Sequence, residues 1–333
     1  MRGQIAKYFW TFFVTGLAKK DGIWYNDAMK CIFLYNPHGG RGKTAKKLPY
    51  IIKRLRRKYE TVDVYASKAP GDFTRRVREF AEVYDCIVFS GGDGTFNEIL
   101  QGVGSMEQPP LLGYIPGGTV NDVAHSLGIP RYSLRRALNV ILDGRIERLD
   151  CMTVNNTHYA MYSVSAGAFT SASYTTPQKT KRSLGAMAYG LEGVRKNLLF
   201  RVFPIRARSQ DTEYDGECVF ALAMNGRCVA GLRMNPGGSM CDGSLEGVVI
   251  RQKKDPTPIN RLRALLTVAK LFVFGYRFKQ NNISHFPGGM IRFEVPDDVV
   301  WNFDGERGIS GSIEVSVLER RIPLLVPKKA KHI

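Results

Sequence analysis

Over the first half of the chain, unbroken apolar runs alternate with apolar residues at helical spacing. "CIFLYNP" (31–37) is a continuous apolar run ended by Asn-Pro, which predicts a strand buried on both faces. Leu48, Ile51, Ile52, Leu55 and Tyr59 then recur every three or four residues, with basic residues between them. "VDVYAS" (62–67) is strand-like, and Asp72 stands where a helix cap belongs, ahead of a stripe of Phe73, Val77, Phe80, Ala81 and Tyr84. "CIVFS" (86–90) predicts the next strand, and Phe96, Ile99, Leu100 and Val103 place a helix directly after three glycines. "LLGYIP" (111–116) is another strand, followed by "GGTVNDVAHSLGI" and a helix carrying Leu134, Ala137, Leu138, Ile141 and Leu142 that stops at Asp143-Gly144. This βαβαβαβα order predicts an open sheet with helices on both sides, whose ligands sit beyond the carboxyl ends of the strands.

After Asp150 the texture changes to short strand candidates: "CMTVNN", "YAMYSVSAGAF", "LFRVFPIRARS", "CVFALAMNG", "EGVVIRQ", "MIRFEVP", "VVWNFDG" and "SIEVSVLERRIPLLVP". Turn signals at Asn155-Asn156, Asp215-Gly216 and Pro287-Gly288 separate them, and helical stretches at about 183–198 and 259–274 interrupt them. The expected division is an N-terminal extension (1–29), an open-sheet α/β domain (30–150), a β-rich antiparallel second domain (151–327) and a basic tail (328–333).

The 333 residues, 44% of them hydrophobic, suffice for two globular domains. A formal charge of +18 calls for an anionic partner: a membrane surface, phosphate groups or nucleic acid. Charge alone does not choose. The six cysteines form no C-x-x-C pair and read as buried thiols of a reducing compartment. Near the N-terminus the apolar stretch Tyr8–Leu17 is too short to span a bilayer, and no small-residue cleavage site follows it. It fits an interfacial helix with Lys7, Lys19 and Lys20 at its ends, or equally a segment packed on the main fold.

Chemistry concentrates in the strand-to-helix turns. Glycine-rich turns let backbone N–H groups approach phosphate oxygens, aided by the positive end of the following helix. The chain has neither G-x-x-x-x-G-K-[ST] nor a G-x-G-x-x-G run opening its first helix, which disfavours a P-loop or dinucleotide site. It has instead "NPHGGRGKT" (36–44) after the first strand, "GGDGT" (91–95) after the third and "PGGT" (116–119) after the fourth, all at one sheet edge. The five histidines offer no catalytic pair, and Ser165 and Ser183 lack a base at readable spacing, which disfavours a serine hydrolase.

"GGDGTFNE" with "NPHGG" before it and "PGGTVNDVA" after it resembles the catalytic domain of the diacylglycerol kinase family, which includes sphingosine and bacterial lipid kinases. "SAGAFTSASYTTPQKTKRSLGAMAYGLEGV" (165–194) and "NGRCVAGLRMNPGGSMCDGSLEGVVI" (225–250) extend the likeness toward the soluble bacterial diacylglycerol kinases, from about Lys30 to Pro327. GGDGT alone is shared with NAD kinases; the ordered set is more specific. The resemblance implies an α/β nucleotide-binding domain of NAD-kinase/diacylglycerol-kinase type joined to the β-rich domain, with ATP and Mg²⁺ as cofactors. ATP would be held by Asn36, Pro37, His38, Gly39 and Gly40, by Ser67, by Gly91, Gly92, Asp93, Gly94, Thr95, Phe96 and Asn97, and by Thr119.

A carboxylate does not bind phosphate, so Asp93 is expected to order Mg²⁺ and its waters, with Asp122 joining it or else capping the next helix. "DGE" occurs twice, and in the family the second copy faces the interdomain cleft. This implies Glu306 as general base and Asp304 beside it as metal or water ligand, two roles that are interchangeable at this stage. Asp215-Gly216-Glu217 reads as a hairpin turn. Asp242 matches a structural Mg²⁺ position, with carbonyls near Ser239 and Ser244 as co-ligands, or is a plain hairpin Asp. His38, inside the phosphate loop, either bonds phosphate or faces solvent.

The leading expectation is an ATP- and Mg²⁺-dependent kinase converting diacylglycerol to phosphatidic acid, cytoplasmic and peripheral on the inner face of the membrane. Basic stretches at 53–58 and 195–208, with Tyr8–Leu17, are the expected contacts with an anionic surface, at ~1 kcal/mol per charge. Phosphatidylglycerol, a sphingoid base or ceramide are alternative acceptors. A non-enzymatic nucleic-acid binder is disfavoured, because acidic residues occupy the turns that would bind anions and no aromatic-basic platform is visible. The presence of Asp93 and Glu306 argues against a silent lipid sensor. A homodimer through strand edges is an arrangement the sequence allows.

Overall fold

The computed structural model describes residues 18–20, 23–25, 29–37, 39–168, 201–253, 256–276 and 280–330. The expectations for Tyr8–Leu17, His38 and the helix at 183–198 lie outside them. A small hairpin of β1 (Ala18–Lys20) and β2 (Ile23–Tyr25) stands apart.

The first half is built on β3 (Lys30–Tyr35), β4 (Thr61–Ala66), β5 (Cys86–Gly91) and β6 (Leu111–Pro116), all parallel in the order β4-β3-β5-β6. Its helices of five residues or more are α1 (Leu48–Leu55), α2 (Asp72–Ala81), α3 (Asp93–Val103), α4 (Asp122–Ser126) and α5 (Leu134–Asp143). The unbroken apolar runs have a direct cause. Ile32, Leu34, Ile87, Phe89, Leu112 and Tyr114 pack toward α2 and α3, while Cys31, Phe33, Cys86, Val88 and Ile115 pack toward α1 and α5. Both faces of β3, β5 and β6 are core, while β4, at the edge of the sheet, leaves Asp63 and Val64 exposed.

Asp72 is not the cap it was expected to be. Gly71, at φ 76°, takes the N-cap place, and Asp72 is the first helical residue, buried, accepting from Lys68 N (2.9 Å) and Tyr65 Oη (2.8 Å). It closes the strand-to-helix loop from within, and the Lys68 N–H chiefly holds its carboxyl below the usual range. In the basic stretch 53–58, α1 ends at Leu55, Arg54 donates to Asn139 Oδ1 (2.6 Å) and Lys58 donates to Ile141 O (2.8 Å). These two cations tie α1 and the loop after it to α5.

The second half is antiparallel: β7 (Arg145–Val154), β8 (His158–Ala160), β9 (Ser163–Gly167), β10 (Phe203–Arg208), β11 (Glu213–Met224), β12 (Leu245–Arg251), α6 (Pro258–Phe274), β13 (Ile283–Gly288), β14 (Met290–Glu294), β15 (Val300–Phe303), β16 (Glu306–Ser310) and β17 (Ile313–Val326). Asn155 and Asn156 turn at φ 50° and 56°, as expected. Asp215-Gly216 does not. Both lie inside β11, with Asp215 opposite Arg206, and the reversal falls at 209–212, where Ser209 N donates to Thr212 O (2.8 Å). Arg206 meets both Glu213 (2.9 Å) and Asp215 (3.8 Å) on the exposed face of this ladder, whose other face buries Phe203, Ile205 and Ala207.

The last strand joins the halves. β17 runs antiparallel to β7 over its length, pairs with β14 near its start, and adds parallel to β6 at Leu324–Leu112. Ile322, Leu324 and Val326 thereby enter the core of the first half. Midway, the four steps from Leu318 to Ile322 face only two from Cys151 to Leu149, a bulge centred on Arg320 at φ 48°. The buried Asp150 carboxylate fixes it, accepting from Arg320 N (2.7 Å) and Gly243 N (2.8 Å).

Candidate active site

Three turns at the carboxyl edge of β3, β5 and β6 are tied to one another. After β3, Gly39 N donates to Asn36 Oδ1 and Asn36 O, both at 3.1 Å, which pinches the chain into a 3₁₀ turn at Gly39–Gly42. Thr44 Oγ1 then lies 3.1 Å from Ser90 Oγ at the end of β5. Gly117 N donates to Gly91 O (2.7 Å), linking the second turn to the third. A Cβ on Gly118 would stand 2.6 Å from Gly92 Cα, so the two glycine turns meet backbone to backbone. Asn121, at φ 54°, organises the third turn: its Oδ1 accepts from Gly118 N (3.0 Å) and Tyr114 Oη (3.1 Å), and its Nδ2 donates to Gly118 O (2.9 Å). Sequence reasoning missed Asn121; an Asn just ahead of a helix start and three residues after Gly-Gly was the signal.

Asp93 opens α3, and its carboxylate reaches the next turn. Oδ2 accepts from Asn121 N (2.8 Å) and Oδ1 from Asp122 N (2.7 Å), so Asp93 caps α4 from outside. Asp122 does not cap α4. Its Oδ1 accepts from Gly231 N (2.7 Å), a bond between the two halves of the chain.

Asp304 and Glu306 flank the β15–β16 hairpin, where Phe303 faces Glu306 across a two-residue turn of Asp304 (φ 51°) and Gly305 (φ 90°). Both central residues at positive φ define a type I′ turn, which Asp-Gly favours. The Asp304 carboxylate points inward: Oδ2 accepts from Met161 N (2.6 Å) and Asn97 Nδ2 (3.4 Å), Oδ1 from Tyr162 N (2.9 Å) and Ser163 N (3.0 Å). Glu306 is exposed, and its Oε1 would stand 2.8 Å from a Cβ on Gly94. A carboxylate of the second half thus lies against the first turn of α3.

Asp93, Asp122 and Asp304 are held by backbone N–H groups, and none has a cationic partner among the described ion pairs. Burial pushes Asp122 up to about 7, helped by the Asp93 charge, and pushes Asp304 up to about 6. It raises Asp93 as well.

The other expected residues divide. Gly91, Gly92, Gly94 and Thr95 lie in the second turn, and Pro37 and Gly40 in the first. Phe96 is buried against Phe89 and Tyr114, with its N–H donated to Gly92 O (3.0 Å); it belongs to the core, not to a ligand surface. Asn97 faces Asp304. Ser67 is half-buried with its N–H on Tyr35 O (3.0 Å), and Thr119 is exposed at the tip of the third turn. Ser239 Oγ accepts from Cys241 N (3.0 Å) and Asp242 Oδ1 from Ser244 N (3.1 Å), local turn bonds beside Asp150; no cluster of three or more metal-ligating side chains occurs among the described residues. All six cysteines are free thiols, Cys241 half-buried and the rest buried.

Residues 30–154 match the diacylglycerol kinase catalytic domain. Relatives called diacylglycerol kinase support the match: one from Bacillus subtilis is 28% identical over 298 residues, covering 89% of this chain and 96% of its own. Another from Staphylococcus aureus is 29% identical over 297 residues, covering 88% and 91%. The chain is therefore a kinase, a phosphotransferase with an alcohol acceptor. Among solved structures, a diacylglycerol kinase from Bacillus anthracis superposes with a TM-score of 0.72 at 20% identity, over 92% of this chain and 100% of its own. A second crystal structure from that organism gives 0.77 at 23% identity. These two bear on the fold alone, and they bear out the expected α/β sheet with a β-rich second part. The diacylglycerol kinase catalytic domain, as matched, ends at Val154 with β7. Asp304 and Glu306 come from beyond that segment.

Proposed function

We propose that this chain moves the γ-phosphoryl group of ATP to the free hydroxyl of a diacylglycerol, giving phosphatidic acid, with Glu306 as general base. The observation that carries the reading is the approach of Glu306 Oε1 to Gly94, because it sets an exposed carboxylate at the start of the helix that follows the glycine turn. ATP phosphates would lie along the Asn36–Gly40 and Gly91–Thr95 turns, where backbone N–H groups and the positive end of α3 favour anions. The acceptor hydroxyl gives its proton to the Glu306 carboxylate as its oxygen bonds to the γ-phosphorus, the bond to the bridging β,γ-oxygen breaks, and ADP leaves. Asp304 is assigned no proton. Four donors hold it, so its work is to fix the hairpin that presents Glu306.

Mg²⁺ fits the acidic pair Asp93 and Asp122, which are close, largely buried and without a cationic partner among the described ion pairs. Backbone N–H groups already occupy both Asp93 oxygens at 2.7 and 2.8 Å, which favours contact with the ion through water. When bound, the ion would supply positive charge beside the phosphates.

Phosphatidylglycerol, a sphingoid base and ceramide are the competing acceptors. The test is a panel of these lipids in mixed micelles with γ-labelled ATP. Label in phosphatidic acid, dependent on Mg²⁺, is expected; label on another lipid would replace the acceptor, and label on none would refute the lipid-kinase reading. The insolubility of such an acceptor calls for work at a membrane surface, as a peripheral protein.

A further inference from the structure

Helix α6 is apolar on two opposite faces. It buries Ala264, Leu265, Val268 and Leu271, yet Ile259, Leu262, Leu266 and Val273 are 65%, 54%, 49% and 69% exposed. At 3.6 residues per turn those four fall within roughly 60° of arc, directly opposite the buried set. A surface helix of a globular protein normally carries polar groups there. Arg263 and Lys270 are exposed along one margin of the stripe, and Pro258–Phe274 contains no acidic residue. No described helix is long and apolar enough to cross a membrane.

The C-terminal end of the helix is linked to the loop that Asp122 holds. Past the helix, the Tyr276 N–H donates to Met234 O, in a loop where Leu232 is 42% exposed and the Gly231 N–H is held by Asp122. We propose that α6 lies in the plane of an anionic bilayer surface, with Ile259, Leu262, Leu266 and Val273 below the headgroups and Arg263 and Lys270 on lipid phosphates. A second copy of the chain suits this face poorly, since the helix carries no carboxylate to meet those two cations. The inference deepens the lipid-kinase reading by naming where the acceptor's surface is met, but its test reads binding without turnover.

The test is sedimentation of the full chain with phosphatidylcholine vesicles, with and without phosphatidylglycerol, alongside two double variants at exposed positions. Leu262→Gln with Leu266→Gln should lower partitioning onto the mixed vesicles at least about tenfold. Arg263→Gln with Lys270→Gln should lower it by about fivefold per charge at low salt, with no effect on neutral vesicles. Unchanged partitioning of both variants would overturn the proposal, as would a wild-type dimer, seen by light scattering, that the leucine variant dissolves while vesicle binding stays intact. If vesicle binding responds as expected but no dispersed short-chain acceptor is phosphorylated, the docking surface stands and the lipid-kinase reading falls.

Discussion

Gly94 and Glu306 are 212 positions apart in the chain, yet no room remains between them for a methyl group: a Cβ at Gly94 would come within 2.8 Å of Glu306 Oε1. The obstructing atom is the end of a flexible side chain, so the conflict is relieved by moving the carboxylate while the backbone stays in place. Gly94→Ala should therefore shift thermal stability by less than ~1 kcal/mol while lowering kcat at least ~10-fold, because displacement of about an ångström is costly in a reacting geometry. Steady-state kinetics beside a melting curve would check this, and an unchanged kcat would remove Glu306 from the reacting position. Asp93 shows the limit of reading a residue by its neighbours in sequence. Its place in GGDGT marked it for the site, but both its oxygens serve the amides of the next turn, a bond pattern that exists only once β5 and β6 lie side by side.

Of the two Asp-Gly pairs, the one read as a hairpin turn, Asp215-Gly216, lies inside a strand, and the one assigned to the site, Asp304-Gly305, makes the turn. Type I′ geometry at Asp304-Gly305 matches the dipeptide's local preference, while Asp215-Gly216 is overridden by the register of β10 and β11. Parallel strands and their helices were legible because their periodicity is local; Asn121 and the bulge at Arg320 were not, because their partners lie elsewhere in the fold. Phe96 shows the same limit: the motif gave its position and the core took its side chain. The inward carboxylate of Asp304 gives the hairpin its own test. Asp304→Ala leaves three buried N–H groups at Met161, Tyr162 and Ser163 without their acceptor, which should cost roughly 3 kcal/mol or more in denaturant unfolding. A loss under ~1 kcal/mol would show that the turn holds itself.

Across the whole molecule, a single sheet carries both halves, and their contact is lined by buried acids. This shapes the response to pH. Folding raises Asp122 from 3.8 to about 7, so between those values the folded protein keeps a proton that the unfolded chain has released. Stability should accordingly fall as pH rises from about 4 to 7 and level off above, the reverse of a salt-bridged carboxylate. In chelator, the melting temperature of the wild type should decline over that window and that of Asp122→Asn should decline less; equal slopes would contradict the raised value. The account of function rests on the carboxylate that the second half brings to the glycine turn of the first. Its most direct test is Glu306→Gln in single-turnover phosphorylation of diacylglycerol, with ATP affinity measured separately. The rate should drop at least ~100-fold with ATP binding unchanged; a near-normal rate would mean that another group takes the proton.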